Sequence, residues 1–186
     1  MEYKIWSLRE SDNYDKQNFD YAESPDYVDS LWIYQGYPLK DDEKNKEWEE
    51  PTFTINYGDF PDYLGNDCSW CLCSEKLKKI IDNYANNADV IRWLPVKILN
   101  GETFKTYYAL LIENYLEFDK IVNIEKSKKL KDGKVYLPHF IYSQIKDYDL
   151  FIKEDGGKSI FISQKLKDIL EKENLTGLGF EDWKAS

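Results

Sequence analysis

The stretch that most constrains the fold is residues 90–112, in which two strand-like runs flank the dipeptide Asn100-Gly101. Residues 90–99 and 103–112 are rich in β-branched, aliphatic and aromatic side chains. Asn-Gly takes the positive φ that a type I′ turn requires, so the segment predicts a long β-hairpin. A hairpin of this length exposes an apolar face that the rest of the chain must cover. Asp132-Gly133 predicts a second turn, between residues 121–130 and 135–145. Asp155-Gly156-Gly157 predicts a third, between residues 150–153 and 159–162. Nearer the start, residues 1–8, 31–35 and 53–57 read as strands, the second broken by Gly36 and Pro38. Residues 9–30 read as loop, and residues 40–50 as an exposed helical turn ended by Pro51.

Two segments predict helices of one design. Residues 69–73 form a short apolar run, Ser74 is a fit N-cap, and Leu77, Ile80, Ile81 and Tyr84 follow at i, i+3, i+4 and i+7. Residues 159–162, Ser163, Leu166, Ile169 and Leu170 repeat the arrangement. Residues 74–81 (SEKLKKII) and 163–170 (SQKLKDIL) share five of eight positions. A duplicated strand–helix unit and the chance likeness of two Lys-rich amphipathic helices both account for this. Either way, two helices pack one apolar stripe each on a sheet. The expected class is α+β, a largely antiparallel sheet built from hairpins with two or three packed helices, forming a single domain over residues 1–186.

The charge is unevenly placed. The net charge is -10, yet residues 1–70 hold 6 basic and 17 acidic side chains, and residues 71–186 hold 19 and 18. So acidic a chain repels a phosphate backbone, which argues against nucleic acid as a partner. No apolar run approaches the length of a membrane span, the longest being residues 107–112. Residues 1–6 lack the basic and apolar regions of a secretory signal, and three reduced cysteines fit a cytoplasmic location better than secretion.

Two clusters carry the acidity. Glu23, Asp26 and Asp29 stand among Tyr21, Tyr27 and Trp32, while Asp41, Asp42, Glu43, Glu47, Glu49 and Glu50 surround Trp48. Such a surface serves hydration and solubility, or it serves as a docking face on which carboxylates steer a basic partner and aromatic side chains anchor it. Interleaved aromatic residues suit the second role better than a bare acidic tail would.

Candidate chemistry is sparse. Cys68, Cys71 and Cys73 can supply thiolates to zinc with His139, the only histidine, as a fourth ligand, but no second Cys pair is present. Core thiols are the simpler reading, because Cys71 and Cys73 share a face of a strand. A redox pair is disfavoured, since the helix begins only at Ser74. With one histidine that follows Pro138 in an apolar run, no nucleophile–base constellation assembles. Gly156-Gly157-Lys158 lacks the spacing of a phosphate loop. No cofactor and no catalytic residue is expected.

The segment order Pro61-Asp62-Tyr63, Ser74-Glu75-Lys76-Leu77, Trp93-Leu94-Pro95-Val96, Phe118-Asp119, Ser163-Gln164-Lys165-Leu166-Lys167 and 175–180 (LTGLGF) resembles a family of bacterial immunity proteins encoded beside polymorphic toxins, the type 11 class. The resemblance covers residues 60–183, leaving the acidic first sixty outside it. It implies a non-enzymatic cytoplasmic protein that binds and neutralises a cognate toxin, with no catalytic residues to carry over. A toxin that attacks nucleic acid needs a basic cleft, and residues 20–50 offer carboxylates to fill one. The alternatives are an acidic adaptor module for another basic partner and, further off, a zinc protein using the Cys-rich strand.

Overall fold

The structure is a computed structural model and describes residues 2–11, 20–26, 48–86, 90–113, 115–154 and 159–186. The predicted central hairpin forms as β6 (Ile91–Asn100) and β7 (Thr103–Ile112), paired antiparallel from Ile91↔Ile112 to Asn100↔Thr103. Its turn sits one residue later than expected. Asn100 is still paired and its amide donates to Gly58 O (3.0 Å), so Gly101 and Glu102 form the loop. Of these two only Gly101 has positive φ (58°), whereas a type I′ turn needs it at both central residues.

The hairpin lies within a closed barrel of order β2-β3-β6-β7-β5-β4, which includes β2 (Tyr21–Glu23), β3 (Thr52–Tyr57), β4 (Tyr63–Asn66) and β5 (Leu72–Cys73). Closure rests on two parallel pairings, β2 with β4 and β3 with β6. Neither was expected, because local turn signals announce only antiparallel neighbours. Phe53, Ile55, Leu64, Trp70, Leu72, Leu94, Val96, Ile98 and Tyr107 fill the barrel. The strands read as alternating because one face of each points into it.

The second assembly is a six-stranded sheet of order β11-β14-β1-β13-β12-β8. Its strands are β1 (Tyr3–Glu10), β8 (Tyr115–Leu116), β11 (His139–Phe140), β12 (Leu150–Lys153), β13 (Phe161–Ile162) and β14 (Leu178–Ala185). The chain thus mixes strands and helices as expected, but in a barrel and a sheet rather than one hairpin sheet. Four helices are present among the described residues: α1 (Glu75–Tyr84), α2 (Phe118–Ile121), α3 (Tyr142–Ile145) and α4 (Gln164–Lys172). The two longer ones are those predicted.

Leu77, Ile80 and Ile81 of α1 and Leu166 and Leu170 of α4 enter one core with Leu8, Leu110, Leu150 and Ile162. Tyr84, expected on the same stripe, is exposed, because it closes the last turn beyond the core. The opposite face of the sheet buries Phe140, Phe151 and Phe161 against Ile121 and Ile145. Residues 128–129 and 135–137 form a separate two-stranded ribbon of β9 and β10, with Gly133 at φ 87° in the predicted turn. The strand expected at 31–35, the turn expected at 155–157 and most of the helical turn at 40–50 lie outside the described residues, and 48–50 is neither helix nor strand.

The joint between barrel and sheet gathers two of the motif segments. Asp62 Oδ2 accepts from Thr176 N (3.0 Å) and Thr176 Oγ1 (3.3 Å), and Tyr63 N donates to Thr176 O (3.0 Å). Gly177 follows at φ 74°, and a Cβ there would lie 2.2 Å from Tyr63 O. Glycine is therefore required by close approach as well as by backbone conformation.

Candidate partner-binding site

The acidic candidates that fall on described residues all sit on the barrel. Glu23, exposed, ends β2 opposite Thr54 of β3. Just beyond it Ser24 donates through N (2.9 Å) and Oγ (3.0 Å) to the Asp67 carboxylate, which fixes the strand's exit and leaves Asp26 exposed in the following turn. Glu49 and Glu50 are exposed at the approach to β3, where Pro51 O accepts from Lys97 N of β6 (2.9 Å). In barrel order β2 and β3 are neighbours, and both groups lie towards the Thr52 end of β3. Asp29, Asp41, Asp42, Glu43 and Glu47 lie outside the described residues.

Trp48, read as an aromatic anchor, is half-buried. Its indole N–H donates to Pro95 O (2.8 Å), and its ring lies 6.0 Å from that of Trp70, which itself packs 5.3 Å from Phe53. The indole thus ties the acidic segment down to the barrel.

The charge pattern did not mark a second group, which gathers at the opposite end of β3. Asp20 and Asp59 meet where Asp59 N donates to Asp20 Oδ1 (2.6 Å), and Tyr57 is 76% exposed next to them, paired with Tyr21. Tyr57 stands at an inward-reading position of an alternating strand, so the pattern alone marks it as core. The strand outruns the barrel, however, and its last ring emerges. Burial first, then the carboxylates of Asp67 and Glu10, pushes the Tyr21 phenol up. Burial, then Asp62, Asp20 and Asp59, pushes Tyr107 up further. Burial by itself raises a phenol, and the nearby carboxylates act in the same direction.

The cysteines do not form a centre. Cys68 is buried in the barrel core, whereas Cys71 and Cys73, 3.8 Å apart at sulfur, are buried in the core beneath α1 and α4. Burial raises the thiols of Cys68 and Cys73, so both favour the protonated form, which is a poor metal ligand and a poor nucleophile. His139 lies on β11, with Nε2 3.0 Å from Ser186 Oγ. Among the described residues no three His, Cys, Asp or Glu side chains are grouped to hold a metal ion.

A polarised barrel end without a clustered nucleophile, base or metal set among the described residues is suited to contact. The family model for the Imm11 immunity protein family matches residues 12–185. The chain belongs to the Imm11 immunity protein family. Membership gives it a toxin-immunity role and a cognate toxin as partner. The match begins well ahead of residue 60 and so takes in the acidic segment that the motif-based resemblance left aside. No curated protein matches the chain. Among the described residues no helix is long and apolar enough to cross a membrane.

The family motifs explain themselves as architecture. Ser74 and Ser163 cap α1 and α4, Pro61-Asp62-Tyr63 and Thr176-Gly177 clasp barrel to sheet, and Trp93 Nε1 donates to Asp82 Oδ1 of α1 (2.7 Å).

Proposed function

We propose that this Imm11 protein is a non-enzymatic inhibitor that binds its toxin stoichiometrically, with the acidic end of the barrel facing a basic cleft on the toxin. The observation that carries this reading is the concentration of negative charge: -11 over residues 1–70 against +1 over the remainder. Glu23, Asp26, Glu49 and Glu50 are the exposed carboxylates on the described part of that surface, and Asp29, Asp41, Asp42, Glu43 and Glu47 belong to the same charge pattern in sequence. Tyr57, Asp20 and Asp59 lie at the other end of β3 and are not part of that surface. Like-signed charge on one face speeds encounter with a cationic protein, and the advantage falls as salt rises. A nuclease toxin, whose cleft must attract phosphate, is the class this surface fits best.

The test is co-expression with the cognate toxin domain, scoring rescue of growth and co-purification. Joint replacement of Asp41, Asp42, Glu43, Glu47, Glu49 and Glu50 by Lys is expected to slow association by about a hundredfold at low salt. Rescue and affinity unchanged by that replacement would remove the acidic face from the mechanism while leaving immunity in place.

A further inference from the structure

Away from the barrel, the chain carries a surface of opposite sign. Residues 124–136 hold five lysines and two acids, +3 in a chain that totals -10. They form the β9–β10 ribbon, which pairs with no strand of the sheet or the barrel. Lys128, Lys129, Lys131 and Lys134 are all exposed and make no ion pair among the described residues. The same short element exposes Leu130 (50%) and Tyr136 (54%). Leu130 is bonded across the turn to Lys134, with Leu130 N donating to Lys134 O (2.8 Å), and Tyr136 lies in β10 at the register shift between Val135 and Leu137.

Isolated two-stranded ribbons are marginal in water, but this one is held at both ends. At its root Asn123 Oδ1 accepts from Glu125 N and Lys126 N (3.1 Å each). Ser127 Oγ donates to Asn123 O (2.7 Å) and accepts from His139 N (2.9 Å). At its tip Asp132 Oδ1 accepts from Lys134 N (3.0 Å) and Gly133 N donates to Leu130 O (3.0 Å). A preformed arm loses little conformational freedom when a partner docks.

Lysine on a free strand edge ordinarily guards against strand addition. Exposed Leu and Tyr beside those lysines do the reverse and supply apolar contact. Nucleic acid is a poor occupant: the ribbon has no arginine, phosphate does not need Leu130 or Tyr136, and the rest of the chain repels a polyanion. A protein surface with carboxylates around an apolar depression matches both features.

We infer that the β9–β10 ribbon is a second docking element for the toxin, taking an acidic patch on it through Lys128, Lys129, Lys131 and Lys134 and an apolar pocket through Leu130 and Tyr136. This rests on the immunity reading above. The placement suits a two-point grip. The barrel joins β1 and β14 near Glu10 and Gly177, while the ribbon is rooted beside β11, which pairs at Lys184 and Ala185, next to Tyr3. Seven residue steps of β1 separate the two ends, about 23 Å.

The experiment measures binding of the cognate toxin domain to the unaltered chain and to two ribbon variants: Lys128→Ser, Lys129→Ser, Lys131→Ser and Lys134→Ser combined, and Leu130→Ser with Tyr136→Ser. These side chains are exposed, and circular dichroism of each variant verifies an unchanged fold. The lysine variant is expected to associate about tenfold more slowly at low salt, and the apolar variant to dissociate about tenfold faster. If the unaltered chain binds and both variants match it, the ribbon contact is wrong and the immunity reading stands. If the unaltered chain itself fails to bind, both fall together. Retention of a 20-base-pair DNA duplex by the unaltered chain but not by the lysine variant would overturn the proposal in favour of nucleic acid.

Discussion

The α1 and α4 units show one local design working in two tertiary settings. In each, an Asp precedes a strand, the strand pairs antiparallel with the next, and a Ser at the end of that second strand caps a helix. Asp62 leads β4, which pairs with β5; Asp149 leads β12, which pairs with β13. Ser74 N donates to Asp62 O (2.8 Å) and Ser163 N to Asp149 O (3.1 Å). Ser74 Oγ donates to Asp62 Oδ1 (2.7 Å), and Ser163 Oγ to Asp149 Oδ1 (2.6 Å). Each hydroxyl also accepts from the amide three residues on, at Leu77 and at Leu166. The second residue of each helix then reaches the far end of the other. Lys76 Nζ donates to Glu173 O (2.8 Å), and Lys165 Nζ to Tyr84 O (3.3 Å), so each cation meets the negative end of the opposite helix dipole.

The settings differ. The first unit's strands close a barrel and the second's lie in an open sheet. Asp149 is only 4% exposed and pairs with Lys165 at 2.7 Å. Asp62 is more open, stands 4.0 Å from Lys76, and turns its second oxygen to Thr176. The common part is the local hydrogen-bond pattern. The divergent part is what each Asp does with its spare oxygen, and that sets whether the unit also clasps the barrel to the sheet.

Four measurements break or sharpen this parallel. Leu77→Ala and Leu166→Ala are each expected to cost about 3 kcal/mol in urea unfolding, because both side chains are fully buried in one core. Unequal losses would show that the helices do not share that core alike. Asp149→Ala is expected to cost about 2 kcal/mol and Asp62→Ala about 1 kcal/mol, since water reaches the partners of Asp62 more readily. A reversed order would place the clasp, rather than the buried acceptor, as the stronger link. Ser74→Ala and Ser163→Ala should each lose about 1 kcal/mol, the worth of an N-cap, and matching values support equivalence.

The smallest effect concerns pH. The first turn of α1 carries Glu75 where α4 carries Gln164. Hydrogen bonds from Lys79 and then Tyr108 hold the Glu75 carboxyl below its ordinary value of 4.5. A depressed folded pKa contributes stability that is present above 4.5 and is lost as pH falls through the lowered value. The unaltered chain should therefore lose slightly more stability than Glu75→Gln on acidification below that value. Parallel curves for the two would show that this group adds nothing.

Local chemistry was legible wherever it acts over a few residues. Ser74 and Ser163 were identified as caps from the residues that follow them, and the apolar spacing of Leu77, Ile80, Ile81, Leu166 and Leu170 gave their buried face. Tyr84 failed at the helix end, where periodicity continues but the core does not. In the candidate site Glu23, Asp26, Glu49 and Glu50 stood out by charge; the separate group of Tyr57, Asp20 and Asp59 at the other end of β3 did not, because it depends on how β2 and β3 pair. Asp62 and Asp149 went unseen as partners of the caps, 12 and 14 residues ahead of their serines.

What the sequence by itself determined is the set of local choices: turns at Gly101 and Gly133, two Ser-capped helices with one apolar stripe each, and an acidic front third. Only the tertiary structure decided that β2 meets β4 and β3 meets β6 in parallel, that the three cysteines divide between two cores, and that the lysine ribbon and the barrel stand at opposite ends of β1. The physical reason is range. Backbone φ preferences and helix periodicity act between near neighbours, whereas strand partnership across dozens of residues is chosen by which apolar faces the whole chain can bury together.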